Sequence, residues 1–375
     1  MQKTALVLTG GGARAAYQAG VLSAIRDILP PNTRSPFSIL CGTSAGAINA
    51  ATLACYADDF HLAVENLLDV WANIHAGQVY RVDPPGVAAS GVRWLSVLMF
   101  GWLIRQAPRS LLDNTPLRKL LEQRLDFTRI EQVIAGGHLY ALSITASGYA
   151  SGQSVSFFQA QQGAEPWERT HRFGCKARIN ADHLLASSAI PFVFPAVRIN
   201  REYFGDGSMR QLAPISPAIH LGAERVLVIG AGRVSENPAR QHSSTYPTLA
   251  QIAGHALSSI FIDGLAVDVE RMQHINRTLA VIPDDLKQRG VIPLRSIRSL
   301  VISPSVRLDY LAARYVAELP ASVRWLLRGL GAMNRRGSAL ASYLLFESSY
   351  TRALIDLGYK DTMALRTEVS AFFEE

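Results

Sequence analysis

The sequence predicts an α/β fold, a three-layer sandwich with a mostly parallel central sheet, followed by a helical C-terminal extension. Two observations predict the sheet. Short apolar runs at residues 5–8, 37–41 and 225–231 lie next to helical patterns, the alternation typical of a parallel sheet covered by helices. The first two runs also end in glycine-containing turns that lead directly into a helix. We expect a catalytic core over residues 1–235 and the extension over residues 236–375.

The first strand and helix are joined by a glycine-rich turn that contains Gly10, Gly11 and Gly12. Such a turn points backbone N–H groups towards an anion. It fits a loose dinucleotide-binding motif, but no acidic residue follows the second predicted strand to hold a ribose. A P-loop is excluded because no Gly-Lys-Ser/Thr follows. The remaining interpretation is an oxyanion hole, which needs N–H donors fixed where a tetrahedral intermediate carries its charge.

The second strand and helix are joined by the pentapeptide Gly42-Thr43-Ser44-Ala45-Gly46. A strand, a G-x-S-x-G sequence and a helix in this order predict a nucleophile elbow, a sharp turn that exposes the serine Oγ. Gly42 and Gly46 are expected where the turn leaves no room for side chains. Ser44 would lie at the helix N-terminus, where unpaired N–H groups and the helix dipole favour negative charge. It is therefore the predicted nucleophile.

The predicted base is Asp206, which lies in a tight turn between Gly205 and Gly207. An Asp-Gly turn is common for structural reasons alone. In the functional interpretation, Asp206 accepts the proton of Ser44. The alternative is a Ser-Asp-His triad, for which His220, His255 and His274 follow in the right chain order. None of the three follows a clear strand in a glycine-rich loop, so we favour the Ser–Asp pair.

Together these motifs resemble the patatin-like phospholipases. The resemblance covers roughly residues 1–235 and rests on four stretches in the family's order, at 10–14, 42–46, 186–195 and 206–207. It implies a catalytic dyad of Ser44 and Asp206. The resemblance further implies an oxyanion hole of three backbone N–H groups, and a set of residues that shape the loop and the elbow. The oxyanion residues are Gly11, Gly12 and Ala13, and the shaping residues are Gly10, Arg14, Gly42, Gly46 and Gly207.

The chain departs from the family pattern at two positions. Ala15 follows the basic residue of the loop, where the family commonly has glycine, and Ser208 follows Asp-Gly, where it commonly has glycine or alanine. Both residues are small, so we expect the loop geometry to be kept and the specificity to be affected.

The resemblance implies a serine acyl hydrolase that cleaves lipid esters, with phospholipid as the expected substrate class and no metal or organic cofactor. Two alternatives remain open. One is a soluble carboxylesterase or acyltransferase that uses the same dyad. The other is a non-catalytic membrane-binding module that keeps the elbow as a scaffold.

The composition and charge of the chain indicate its cellular compartment and the kind of surface that it contacts. Cys41, Cys55 and Cys175 are too few and too scattered for a disulfide framework or a zinc site. The formal charge of +7 suits an anionic lipid surface, and no aromatic-interleaved basic motif predicts nucleic-acid binding. The N-terminal apolar run is too short for a signal peptide, and no run has the length of a membrane-spanning helix. We expect a cytoplasmic protein, peripheral to the inner face of a membrane.

Two segments could contact that membrane. Residues 94–104, which begin at Trp94 and end at Ile104, form an apolar stretch flanked by arginines. It suits an interfacial helix or a lid over an acyl pocket, and equally a buried core helix. Residues 287–336 contain ten basic and two acidic side chains, which suits anionic phospholipid or a solvated helical face. The remainder of the extension shows helical patterns at 248–267, 269–279, 307–330 and 338–357.

Overall fold

Our computed structural model describes most of the chain. The described residues are 3–31, 34–84, 86, 110–232, 249–283, 294–329 and 338–374. The predicted interfacial segment at 94–104, the predicted loop at 235–247 and the ends of the basic region 287–336 lie outside the described residues.

Ten strands among the described residues form one sheet. In chain order they are β1 (Thr4–Leu8), β2 (Ile39–Thr43), β3 (Ala141–Gly148), β4 (Ser154–Ala160), β5 (Trp167–Arg169), β6 (Arg172–Lys176), β7 (Val197–Ile199), β8 (Glu202–Asp206), β9 (Arg225–Ile229) and β10 (Arg298–Ile302). The spatial order is β10-β9-β1-β2-β3-β4-β6-β5, and β8 pairs with both β3 and β7. The strands from β10 to β3 are all parallel to one another. β8 runs antiparallel to the end of β3, which brings Asp206 to the edge where β2 also ends.

Fifteen α-helices are described. They are α1 (Ala16–Ile28), α2 (Ala45–Cys55), α3 (Phe60–Asn73), α4 (Ala76–Val79), α5 (Thr115–Arg124), α6 (Phe127–Ala135), α7 (Ala181–Ser187), α8 (Ser216–His220), α9 (Leu249–Ser258), α10 (Gly264–Ala280), α11 (Leu308–Ala312), α12 (Ala321–Gly329), α13 (Ser338–Leu344), α14 (Ser348–Ala364) and α15 (Arg366–Glu374). Short 3-10 turns occupy Gly12–Ala15, Gly207–Met209 and Val316–Glu318, and a π-helical turn occupies Ser259–Asp263. None of these helices is both long and apolar enough to cross a bilayer.

The parallel strands β1, β2 and β9 are buried on both faces, as their apolar runs predict, whereas the edge strand β10 is largely half-buried. In β1, Leu6 and Leu8 face a core shared with α1 and α2, whereas Ala5 and Val7 face a second core. Side chains of α8 and α10 fill that second core. The sheet therefore lies between two helical layers, and the predicted α/β sandwich is confirmed.

The C-terminal third differs from its helical prediction at residues 298–302. These residues form β10, which pairs in parallel with β9 and extends the central sheet by one strand. The predicted helix over residues 307–330 is divided into α11, a 3-10 turn and α12. The division of the chain into a core and an extension stays a prediction.

The last helices also pack closely on the first one. A Cβ atom built on Gly20 of α1 would lie 2.0 Å from the carbonyl oxygen of Ile355 in α14. A Cβ atom on Gly358 would lie 2.2 Å from the carbonyl oxygen of Tyr17. Glycine at both positions lets the two backbones touch, so α14 and α1 form one tightly packed pair.

Candidate active site

The elbow lies between the end of β2 and the start of α2. Ser44 has φ 56° and ψ −130°, a backbone conformation that is strained for a residue with a side chain. A Cβ atom on Gly42 would lie 2.4 Å from the carbonyl oxygen of Gly46, and one on Gly46 would lie 2.3 Å from that of Leu8. Glycine is therefore required on both sides of the serine, and the turn is seated against the end of β1.

Ser44 and Asp206 form a direct hydrogen bond. Ser44 Oγ donates to Asp206 Oδ2 at 2.6 Å, and Asp206 Oδ1 accepts a second bond from the backbone N–H of Ser208 at 2.9 Å. Both residues are buried, with Ser44 1% exposed and Asp206 fully enclosed. The turn after the aspartate is fixed by Gly207, where a Cβ atom would lie 2.1 Å from the carbonyl oxygen of Thr145.

Burial makes Asp206 a stronger base than an ordinary aspartate. Removal from water raises the pKa of its carboxyl from 3.8 to about 6, against the opposing effect of the hydrogen bonds from Ser44 and Ser208. The carboxylate is still ionised at neutral pH, and it binds a proton more readily than a solvated carboxylate does.

Ser187 holds the elbow in place from a third element. The backbone N–H of Ser44 donates to Ser187 Oγ at 2.8 Å, and Ser187 Oγ donates to the carbonyl oxygen of Thr145 at 2.6 Å. This link joins the elbow to α7 and to β3. Sequence reasoning did not assign Ser187 a role, although it lies in the stretch 186–195 that resembles the family; its position in that stretch was the only available signal.

The glycine loop adjoins the dyad. A Cβ atom on Gly10 would lie 2.5 Å from Ser208 Oγ, and one on Gly12, which has φ +54°, would lie 2.3 Å from the carbonyl oxygen of Tyr343. The backbone N–H of Arg14 donates to the carbonyl oxygen of Gly11 at 3.1 Å. The N–H groups of Gly12 and Ala13 therefore precede the first internal hydrogen bond of the turn, where helical N–H groups have no partner within the helix.

Arg14 anchors this loop to α13. Its guanidinium is buried, donates to Ser342 Oγ at 2.8 Å and to the Tyr343 hydroxyl at 3.1 Å, and lies 4.0 Å from the centre of the Tyr343 ring. The Tyr343 ring in turn stacks on Phe261, with ring centres 5.0 Å apart. Sequence reasoning placed Arg14 in the loop but could not identify partners that lie more than 300 residues away in the chain.

An apolar cavity opens beside the dyad. Ser44 and Gly12 lie in its wall together with hydrophobic side chains such as Leu67, Leu117 and Phe194. The cavity encloses about 720 Å³ of space free of atoms, part of it open to solvent. Because the lining is mainly apolar, the site can accommodate an apolar substituent next to the serine.

The histidines of the alternative triad lie elsewhere. His220 stacks on Trp167 with ring centres 5.0 Å apart, and burial lowers the pKa of its imidazole to about 4. His274 lies 3.6 Å from Glu270 on α10, and His255 is exposed on α9. Of the described residues in the cavity wall, none is a histidine. The hydrogen bond of Ser44 instead goes to Asp206.

An elbow serine, a glycine loop and an apolar cavity on a mostly parallel sheet are features of the lipid acyl hydrolases. The chain belongs to the patatin-like phospholipase family, whose model matches residues 6–219. A curated relative, the cGAMP-activated phospholipase of Pseudomonas aeruginosa, is 28% identical over 210 residues, or 56% of this chain and 53% of the relative. The chain thus spans about half the length of that protein.

Two solved structures that resemble the chain do so distantly. VipD from Legionella pneumophila aligns with 98% of this chain and 67% of its own at 12% identity and a TM-score of 0.35. Human GIVD cytosolic phospholipase A2 aligns with 100% of this chain and 60% of its own at 11% identity and a TM-score of 0.40.

Proposed function

We propose that this protein is a serine acyl hydrolase that cleaves carboxylic esters of phospholipids. The observation that carries the proposal is the 2.6 Å hydrogen bond from Ser44 Oγ to Asp206 Oδ2 at the wall of an apolar cavity. Membership of the patatin-like phospholipase family supports the same conclusion.

In the proposed reaction, Asp206 takes the proton of Ser44 as the serine oxygen attacks the ester carbonyl. The N–H groups of Gly11, Gly12 and Ala13 stabilise the oxyanion. The proton passes from Asp206 to the departing alcohol, which leaves an acyl group on Ser44. Water then attacks this acyl-enzyme while Asp206 takes its proton; the bond between the acyl carbon and Ser44 Oγ breaks, the proton passes from Asp206 to Ser44 Oγ, and the fatty acid leaves. Each step uses side chains and backbone groups of the chain itself.

The lining of the cavity favours a lipid over a small soluble ester. Each methylene of a fatty acyl chain that moves from water to apolar walls stabilises the bound state by about 0.8 kcal/mol. A short soluble ester leaves most of this surface unused. A carboxylesterase or acyltransferase with the same dyad would show its highest activity on short soluble esters or on an alcohol acceptor.

Membrane contact is part of this proposal. It relies on the sequence of residues 94–104 and of the basic region 287–336. Within the described part of that region, Arg295, Arg298 and Arg324 donate to backbone carbonyl groups and Arg307 pairs with Asp309. These bonds favour a structural role for the four arginines, so we expect the docking charge to come from the remaining basic residues, at a cytoplasmic membrane face.

Covalent labelling with a fluorophosphonate tests the dyad. We expect the wild type to be labelled at Ser44, Ser44→Ala to be unlabelled and Asp206→Asn to be labelled far more slowly. Ser143→Ala is the matched control, because Ser143 is a buried serine of β3 that does not line the cavity. Labelling that maps to another residue, or that is unchanged in Ser44→Ala, contradicts the assignment.

A panel of defined phospholipid vesicles tests the substrate class. We expect the wild type to release fatty acid from vesicles faster than from short soluble esters, and Ser44→Ala to release none. Each assay is run with and without cGAMP, because the relative in Pseudomonas aeruginosa is a cGAMP-activated phospholipase. A higher rate on soluble esters than on vesicles under both conditions supports the carboxylesterase instead. Absence of turnover on every substrate supports the membrane-binding module.

A further inference from the structure

Three helices line the cavity beside Ser44 with one stripe of side chains each. The stripes begin at Ala45 in α2, at Leu67 in α3 and at Leu117 in α5, and each continues at the positions i+3, i+4 and i+7; in α3 the last of these is Ile74, which directly follows the helix. This spacing places every stripe on a single helix face. Seven residues of helix extend about 10 Å at about 1.5 Å for each residue, so the cavity is a channel about two helical turns long.

The channel leads away from the nucleophile along α2. Ser44 immediately precedes this helix, and Thr52 is the last residue of its stripe. The end of α5 lies beside the end of α2, because Cys55 Sγ donates to the carbonyl oxygen of Asp126 at 3.5 Å. The start of α5 is tied by the 2.5 Å bond from Arg118 to Asp182 to the first turn of α7, whose last residue is Ser187. Thus α2 runs from Ser44, and α5 from the neighbourhood of α7, to the far end of the channel.

The polar groups in the channel wall are already paired with the protein. Asn49 accepts a hydrogen bond from Trp71 Nε1 at 2.8 Å and donates one to Gln18 Oε1 at 2.8 Å. Thr52 Oγ1 donates to the carbonyl oxygen of Ile48 at 2.9 Å. Between Ser44 and Arg124 the walls consequently offer a ligand mainly hydrocarbon.

A charged pair marks the far end of the channel. Arg124, the last residue of the α5 stripe, donates to Asp69 Oδ2 at 3.0 Å, and both side chains are about half exposed. A methylene that reached this pair would contribute little binding free energy, because it would still be surrounded by water. The apolar part of the channel thus has a defined length.

We propose that this channel limits the length of the acyl chain that the enzyme accepts, with Ile48 and Thr52 as the residues that determine the limit. The inference rests on the proposed function, because the acyl group must lie in the channel while Ser44 attacks its ester carbonyl and carries it. Thr52 lies eight residues beyond Ser44, about 12 Å along the helix, and Ile48 lies about 6 Å along it. An extended chain advances about 1.2 Å for each bond, so these distances correspond to about ten and about five carbons.

The test compares hydrolysis of p-nitrophenyl esters from two to sixteen carbons by the full chain. For the wild type, we expect kcat/KM to rise up to roughly fourfold for each added methylene until about ten carbons, and then to level off. Ile48→Trp should move this break to about five carbons, and Thr52→Trp to a value between the two. Arg124→Ala, which removes the charged end, should move the break beyond ten carbons. Leu62→Trp on α3 is the matched control, because Leu62 is 42% exposed and does not line the channel.

A short-chain fluorophosphonate separates channel effects from loss of the dyad. We expect ethyl fluorophosphonate to label Ile48→Trp, Thr52→Trp and Arg124→Ala at Ser44, and the chain-length profile of each variant is expressed relative to its own rate on the two-carbon ester. Breaks that stay at the wild-type chain length in labelled variants, or that shift equally in Leu62→Trp, overturn the inference and leave the proposed function intact. If Ile48→Trp and Thr52→Trp are labelled slowly because they fold poorly, Arg124→Ala tests the inference instead, because its kcat/KM should level off only beyond ten carbons. A wild type that is neither labelled nor active on any ester overturns the proposed function itself.

Discussion

Replacement of Asp206 by asparagine is expected to change stability and activity in opposite directions. Asparagine keeps the shape of the side chain. Its Oδ1 can accept the N–H of Ser208, and its amide group can donate to Ser44 Oγ in place of the present 2.6 Å bond. It removes the negative charge that burial disfavours. The same charge is the base of the proposed reaction, so the substitution should lower activity by about 10²–10⁴-fold.

The gain in stability follows from the raised pKa of Asp206. Below pH 3.8 the carboxyl is protonated in both the folded and the unfolded chain, so burial of the charge costs nothing. As the pH rises from 3.8 through about 6, the unfolded chain loses this proton first, and the free energy of unfolding falls. Above pH 6 the full penalty applies. A shift of about two units at about 1.4 kcal/mol for each unit amounts to about 3 kcal/mol.

Urea denaturation followed by tryptophan fluorescence at pH 8 and pH 4 measures this effect. Asp206→Asn should exceed the wild type by about 3 kcal/mol at pH 8 and match it near pH 4. Asp268→Asn is the matched control, since Asp268 is also buried, accepts the N–H of Ile215 at 2.9 Å and has a pKa raised by burial. It should gain stability in the same direction and keep its activity. An Asp206→Asn variant that is less stable than the wild type at pH 8 refutes the reasoning.

Two further predictions concern the base and the loop anchor. The kcat/KM of the wild type should fall about tenfold for each pH unit below about 6, where Asp206 becomes protonated; a profile that stays flat down to pH 4.5 contradicts the assigned base. Tyr343→Phe removes one acceptor of the Arg14 guanidinium and should lower the free energy of unfolding by about 1.5–3 kcal/mol in urea. Tyr359→Phe, which loses a bond to the exposed Asp27, is its control and should lose less than about 1 kcal/mol.

The sequence predicted the parts of the fold whose signals are local. The run at residues 5–8 became β1, and the helical pattern from residue 15 became a 3-10 turn followed by α1. β10 was missed because Arg298 and Ser299 open a strand with only three apolar residues, in a region dominated by basic side chains. What makes it a strand is its pairing with β9, which no local pattern encodes.

The candidate site also has parts that local sequence motifs predict and parts that depend on contacts between distant elements. The elbow and the Asp-Gly turn are local motifs, so Ser44 and Asp206 could be named from the sequence as a predicted dyad. The link from Ser44 through Ser187 to Thr145 depends on three separate elements, so it required the structure. The channel stripe Ala45, Ile48 and Thr52 has the spacing of any buried helix face. Only the empty space beside this stripe shows that it lines a channel and does not pack in the hydrophobic core.

The close contact between α1 and α14 has a consequence for biosynthesis. The backbones of these helices touch at Gly20 and Gly358, yet some 320 residues separate the end of α1 from the start of α14. At about 5–20 residues per second, a ribosome needs on the order of 15–60 s to make that stretch. During this interval α1 has no partner for its outer face, and α13, which holds the glycine loop through Arg14, does not yet exist. A nascent chain therefore contains Ser44 and the strands around it well before it contains the helix that supports the glycine loop.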